Sequence, residues 1–60
     1  MKVYIRDMGK TEKHLIKGIT AKQYETGDYD EGELYSKIYE ILTKYDIQEA
    51  ELINSKGERL

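Results

Sequence analysis

The chain contains no cysteine, no phenylalanine and no tryptophan, and it has a single histidine. Without cysteine there can be no disulfide and no thiolate metal site. One histidine likewise excludes a His-rich metal site. Sixty residues make one small domain, and a chain of this size buries only about 60% of its unfolded surface. Scaffolds below roughly 70 to 80 residues usually add disulfides, a metal or a partner chain. With the first two gone, self-association is the remaining means of support, and a homodimer is expected. The lack of cysteine is compatible with the cytoplasm.

Long apolar runs are also missing. The N-terminal MKVYIRDMGK holds no apolar stretch of signal-peptide length. No segment approaches the ~20 apolar residues of a membrane span. The expectation is a soluble, cytoplasmic protein that does not associate with membranes. Nor is there a large charge of one sign: 37% of the residues are charged, yet the net charge is only −2. That balance argues against a strongly basic nucleic-acid binder, so nucleic acid is not the expected partner.

The charge is unevenly spread, however. Met1 to Gln23 carries six basic residues against Asp7 and Glu12, for a net +4. Tyr24 to Leu34 carries Glu25, Asp28, Asp30, Glu31 and Glu33 with no base, for −5. The molecule is polarised along its sequence. The aromatic content is entirely tyrosine: Tyr4, Tyr24, Tyr29, Tyr35, Tyr39 and Tyr45. A core must therefore be built from Ile, Leu and tyrosine ring faces, and each buried hydroxyl needs a partner.

The most periodic stretch is Asp30 to Tyr45, DEGELYSKIYEILTKY. At about 100° per residue, Leu34, Ile41, Tyr45, Ile38, Leu42, Tyr35 and Tyr39 share one arc of roughly 160°. A core-facing stripe needs only about 100°, and the surplus is the edge formed by Tyr35 and Tyr39. Asp30 and Glu33 have capping-box spacing, with Asp in place of Ser or Thr. Glu33 to Lys37 and Glu40 to Lys44 are i,i+4 pairs in the favourable order. The pattern predicts one amphipathic helix, ending near Asp46 without a glycine cap.

Lys2 to Met8 alternates, with Val3 and Ile5 on one side and Tyr4, Arg6 and Met8 on the other, as a strand does. Gly9 to Lys13 supplies a turn. His14 to Thr20 reads as a second strand, with a bulge at Gly18 that brings Ile16 and Ile19 to the same side. As a helix it would carry Gly18 in its interior, at about 1 kcal/mol relative to Ala. Ala21 to Tyr29 reads as a connection, with Thr20 able to cap a short turn through Gln23. Ile47 to Ile53 is the expected third strand, with Ala50 and Leu52 inward. Asn54 to Gly57 has the form of a type I turn with Gly at the left-handed position, and Glu58 to Leu60 is a short return.

The order β-β-α-β, with a possible last β, implies a small two-layer α+β fold. One amphipathic helix covers one face of a mostly antiparallel sheet, in the strand order 2-1-3. The other sheet face is left open, with Tyr4, Met8 and one of His14 and Ile16 expected on it.

No residue pattern points to catalysis. His14 has no nucleophile context around it. Gly9-Lys10-Thr11 ends like a phosphate loop, but Tyr4 stands where the upstream glycine belongs. Asp28-Tyr29-Asp30-Glu31-Gly32 opens like a calcium loop. Its sixth position is Glu33 rather than Gly, and its twelfth is Tyr39 rather than Glu. The expectation is a non-enzymatic protein with no cofactor and no metal.

The candidate partner-binding residues are Tyr35 and Tyr39 on the helix edge, with Tyr29, Asp28, Asp30, Glu31 and Glu33 at its start. They suggest a protein-protein interaction or regulatory module, expected to be homodimeric. Spaced carboxylates also allow an acidic inhibitor that imitates nucleic-acid charge toward a basic cleft. If His14 to Gln23 were helical, the strand-helix-helix order would resemble the ribbon-helix-helix repressors, with Lys2, Tyr4 and Arg6 facing DNA. Gly18 and the extra strand after the last helix count against that alternative.

Overall fold

β1 (Lys2–Asp7) is the middle of everything else. Its alternating Val3 and Ile5 are fully buried, and burial of side chains this size contributes about 1.5–3 kcal/mol each. In this computed structural model, which describes all residues from Met1 to Leu60, β1 pairs antiparallel with β2 (Lys13–Thr20) on one side. It pairs antiparallel with β3 (Ala50–Ile53) on the other. The strand order is β2-β1-β3, as the sequence implied. β2 and β3 therefore run parallel to each other. The chain between them passes through α1 (Ala21–Thr26) and α2 (Glu31–Lys44). The smallest dimension of the Cα trace is 14 Å, which suits one helix laid on one sheet.

The bulge in β2 is present. Val3 pairs with Ile16 while Lys2 pairs with Thr20, so Lys17, Gly18 and Ile19 loop out of the ladder. Gly18 takes a φ of +85°, a left-handed torsion that costs other residues about 1–2 kcal/mol. The detour turns Ile19 to the same side as Ile16, and both are buried in the core with Val3, Ile5, Ala21, Leu34 and Ile47. Lys37 of α2 then fastens the bulge, its ammonium donating to the Lys17 carbonyl at 2.8 Å.

This contact corrects an expectation. Lys37 does not pair with Glu33, nor Lys44 with Glu40. The ion pairs of the molecule are Arg6–Glu51 and Arg59–Glu51, across the sheet. Exposed i,i+4 pairs contribute only a few tenths of a kcal/mol, so a carbonyl left open by the bulge is a competitive partner for Lys37.

The segment expected to be a plain connection contains a second helix. Thr20 and Gln23 form a full capping box that starts α1, and Gly27 at φ 76° ends it. Its six residues are too few to show a period, which is why only the cap was visible in the sequence. α2 begins at Asp30, whose Oδ1 accepts the Glu33 N–H at 2.9 Å. It closes without glycine: Asp46 adopts φ +50°, and the Ile47 N–H reaches back to the Leu42 carbonyl at 2.9 Å. That is a Schellman closure with Asp in the left-handed place.

The closure shortens the third strand. Ile47 is a buried contact at the end of α2 rather than the first residue of β3, which starts at Ala50. Leu52 lies opposite Ile5 on the helix side and packs on the core. Ala50 shares the helix side with Leu52, as expected, but remains exposed there. Ile53 is 2% exposed although its register places it beside Tyr4 on the far face. The C-terminal return runs alongside it, with Arg59 bridged to Ile53. Asn54 anchors the return: its Oδ1 accepts from the Lys56 and Glu58 N–H groups at 2.9 and 3.0 Å.

The open sheet face also differs from expectation. His14 pairs with Ile5 and Ile16 with Val3, so both belong to the helix side. Leu15 is the one that joins Tyr4 on the open face. The ribbon-helix-helix order is absent as well. β1 is hydrogen-bonded along both edges and has none left to pair across a dimer, while 13–20 is strand.

Replacing Gly18 with alanine is expected to lower the unfolding free energy by about 1–2 kcal/mol. The added Cβ would also meet the Lys37 ammonium at 2.9 Å. Urea unfolding followed by circular dichroism measures the loss; an unchanged midpoint would show that the bulge tolerates an L-residue.

Candidate functional site

The candidate residues divide into two groups on α2. The first gathers at its N-terminus. Asp30 caps the helix through the Glu33 N–H, a contact of roughly 1 kcal/mol. Glu31 and Glu33 stand in the first turn, where carboxylates complement the positive end of the helix dipole by about 0.3–1 kcal/mol. Asp28, Asp30, Glu31 and Glu33 are all exposed. Tyr29 is half-buried, packs on the core and stacks on Tyr24, with ring centroids 5.6 Å apart and planes 10° from parallel.

Asp28, Tyr29, Asp30 and Glu33 line one shallow depression of about 210 Å³ with Gly18 and Lys37. Lys37 thus stands between the bulge and the acidic turn. Desolvation pushes the Tyr29 phenol above its ordinary value of 10.0, and the neighbouring Tyr24, Tyr35 and Glu31 charges add to the rise. No group of three or more His, Asp or Glu side chains is placed to hold a metal ion.

The second group is Tyr35 and Tyr39, one turn apart on the opposite flank. They are 54% and 69% exposed. The depression at the helix start includes neither ring. The same helix lines a feature that sequence reasoning missed. On the β3 side of α2 lies an apolar cleft of about 240 Å³, lined by Ile38 and Leu42 of α2 with Ile5, Ala50 and Leu52 of the sheet. Periodicity assigned Ile38 and Leu42 to the core, and they are in fact half-buried. A helical wheel reports which way a side chain points, not whether the sheet reaches far enough to cover it.

The cleft includes neither tyrosine ring. Tyr39 lines a separate, open depression with Ser36, Glu40, Thr43 and Lys44, and exposed rings of this kind combine large contact area with a hydroxyl that tolerates water. No helix is long and apolar enough to cross a membrane. No family model, curated protein or solved structure matches this chain.

The raised Tyr29 ionisation makes stability pH-dependent at the alkaline end. Because the folded value exceeds the unfolded one, its contribution is whole below pH 10 and is lost as pH rises through the folded value. Absorbance titration at 295 nm should show a step above the ordinary 10.0, absent in Tyr29→Phe and absent from the urea-unfolded chain. A titration unchanged by that substitution would contradict the assignment.

Proposed function

We propose that this chain is a small, non-enzymatic protein-binding module that self-associates as a dimer through the β3-facing flank of α2. The observation that carries the reading is the pair of exposed rings, Tyr35 and Tyr39, on the same helix whose Ile38 and Leu42 line an apolar cleft with Ala50 and Leu52. The total surface supports it. At 7.1 kDa a compact monomer is expected to expose ~4,100 Å², and this chain exposes 4434 Å². A second copy packed against the flank would cover apolar area that one helix on three strands leaves open. A cytoplasmic setting goes with this reading, supported by the cysteine-free composition.

Sedimentation velocity across micromolar concentrations is expected to show a monomer–dimer equilibrium. The double substitution Tyr35→Ser with Tyr39→Ser should shift it to monomer while leaving the far-ultraviolet spectrum unchanged, since neither ring belongs to the core. A wild-type chain that remains monomeric at high micromolar concentration would remove the dimer.

The exposed carboxylates favour a second reading, an acidic inhibitor of a nucleic-acid-binding protein. Of Asp28, Asp30, Glu31 and Glu33, only Asp30 has its carboxylate engaged, by the helix cap. The other three stand free to meet cations. The triple substitution Asp28→Asn, Glu31→Gln and Glu33→Gln retains the cap and is expected to abolish binding to such a target and its salt dependence. Binding that persists at the same affinity and salt slope would eliminate this reading.

A further inference from the structure

The flank of α2 opposite Tyr35 and Tyr39 faces a different environment. There a groove of about 600 Å³ runs between α2 and β2. Its basic side chains are Lys17 of β2 with Lys37 and Lys44 of α2, against the single acid Glu40; the Lys13 ammonium lies instead over the Tyr4 ring on the open face. β2 itself, KHLIKGIT, contains no acidic residue. Apolar side chains share the groove: Ile16, Ile41 and Tyr45. The molecule as a whole is slightly acidic, so this concentration of lysines is local and created by folding. Lys37 and Lys44 are twenty or more residues from Lys17 in the chain.

β2 is also a free edge. The sheet order is β2-β1-β3, so one side of β2 pairs with β1 and the other with no strand. The opposite edge of the sheet is closed by the C-terminal return, through the Ile53–Arg59 bridge and the Leu60 N–H to the Leu52 carbonyl at 3.0 Å. On the groove side, the Lys17 carbonyl accepts from the Lys37 ammonium at 2.8 Å.

We propose that this groove is a docking site for an acidic, extended peptide segment of another protein, laid along the unpaired edge of β2. Main-chain hydrogen bonds to β2 would provide the common part of the affinity. Alternate side chains of the segment would point to the two sides of the strand. Acidic ones would meet Lys17, Lys37 and Lys44, and apolar ones would rest on Ile16 and Ile41. Charge complementarity selects the occupant: three lysines and one glutamate favour carboxylates and disfavour a basic segment.

Single-stranded nucleic acid shares the negative charge, but its bases bind by stacking on exposed rings. The rings here are engaged. Tyr45 stacks on His14 with centroids 3.9 Å apart and lies under Lys44 at 5.4 Å. Tyr4, on the open sheet face, lies under Lys13 at 4.6 Å. A peptide strand needs an edge and an apolar strip rather than a bare ring, and both are present.

The test uses the whole chain and a fluorescein-labelled peptide of alternating glutamate and valine, as long as the eight residues of β2. Anisotropy is expected to show saturable binding that weakens with added salt. It should be lost for the same peptide with lysine in place of glutamate, and lost again when alternate peptide nitrogens are methylated. Lys17→Glu and Lys44→Glu should each weaken binding by about tenfold. Lys37 is left intact because it fastens the bulge. Circular dichroism confirms that each variant is folded, and the salt dependence of the wild-type chain tests the charge requirement without any variant. The proposal is overturned if an oligothymidylate of equal charge binds as tightly, if the charge reversals have no effect in folded protein, if N-methylation is tolerated, or if the acidic peptide does not bind. Because Tyr35 and Tyr39 lie on the other flank, Tyr35→Ser with Tyr39→Ser should leave this binding intact even where it dissolves the dimer.

Discussion

Through one left-handed torsion, Gly18 sets the relation between the sheet and both helices. An unbroken strand from Lys13 to Thr20 would turn Ile16 and Ile19 to opposite faces, because side chains alternate. The bulge returns Ile19 to the side of Ile16, where both are buried. It also leaves the Lys17 carbonyl outside the ladder, where Lys37 of α2 takes it up. A strand with only one inward isoleucine would offer α2 much less to pack against. In a domain with eight buried apolar residues, the loss of one is a large fraction of the core.

The two flanks of α2 differ. Lys37 ties the helix to β2. The β3 side keeps an apolar cleft, and the β2 side keeps a groove whose lysines come from both layers. One helix on three strands cannot cover both sides equally. The position of that helix decides which surface is apolar and which is cationic.

Much of this was legible in the sequence. The period of α2, its Asp30 cap, the alternation of Val3 and Ile5, the Gly18 bulge and the Asn54–Gly57 turn all arise from interactions between residues close in sequence. So did the exposure of Tyr35 and Tyr39, which followed from an apolar arc wider than one contact face. The candidate site was recognised only in part. The acidic turn and the tyrosine edge were visible, but the cleft between α2 and β3 was not, because it depends on how far the helix sits from the sheet. The failures have the same cause. Lys37 was assigned to Glu33, and the Lys17 carbonyl took it instead; Lys44 was assigned to Glu40 and lies over the ring of its chain neighbour Tyr45. Ile47 was assigned to a strand and became the closing contact of a helix whose left-handed residue is Asp46 rather than glycine.

Local rules therefore determined which elements form and which side of each is apolar, since backbone period, capping and turn chemistry act over a few residues. They also determined that the chain is electrically polarised, because the charges are segregated along it. Only the tertiary structure decided where those charges gather. Lysines from β2 and α2, far apart in the chain, come to border one groove, while the net charge remains −2. Coulomb interaction depends on distance in space, and no count along a sequence contains that distance until the helix has been laid on the sheet.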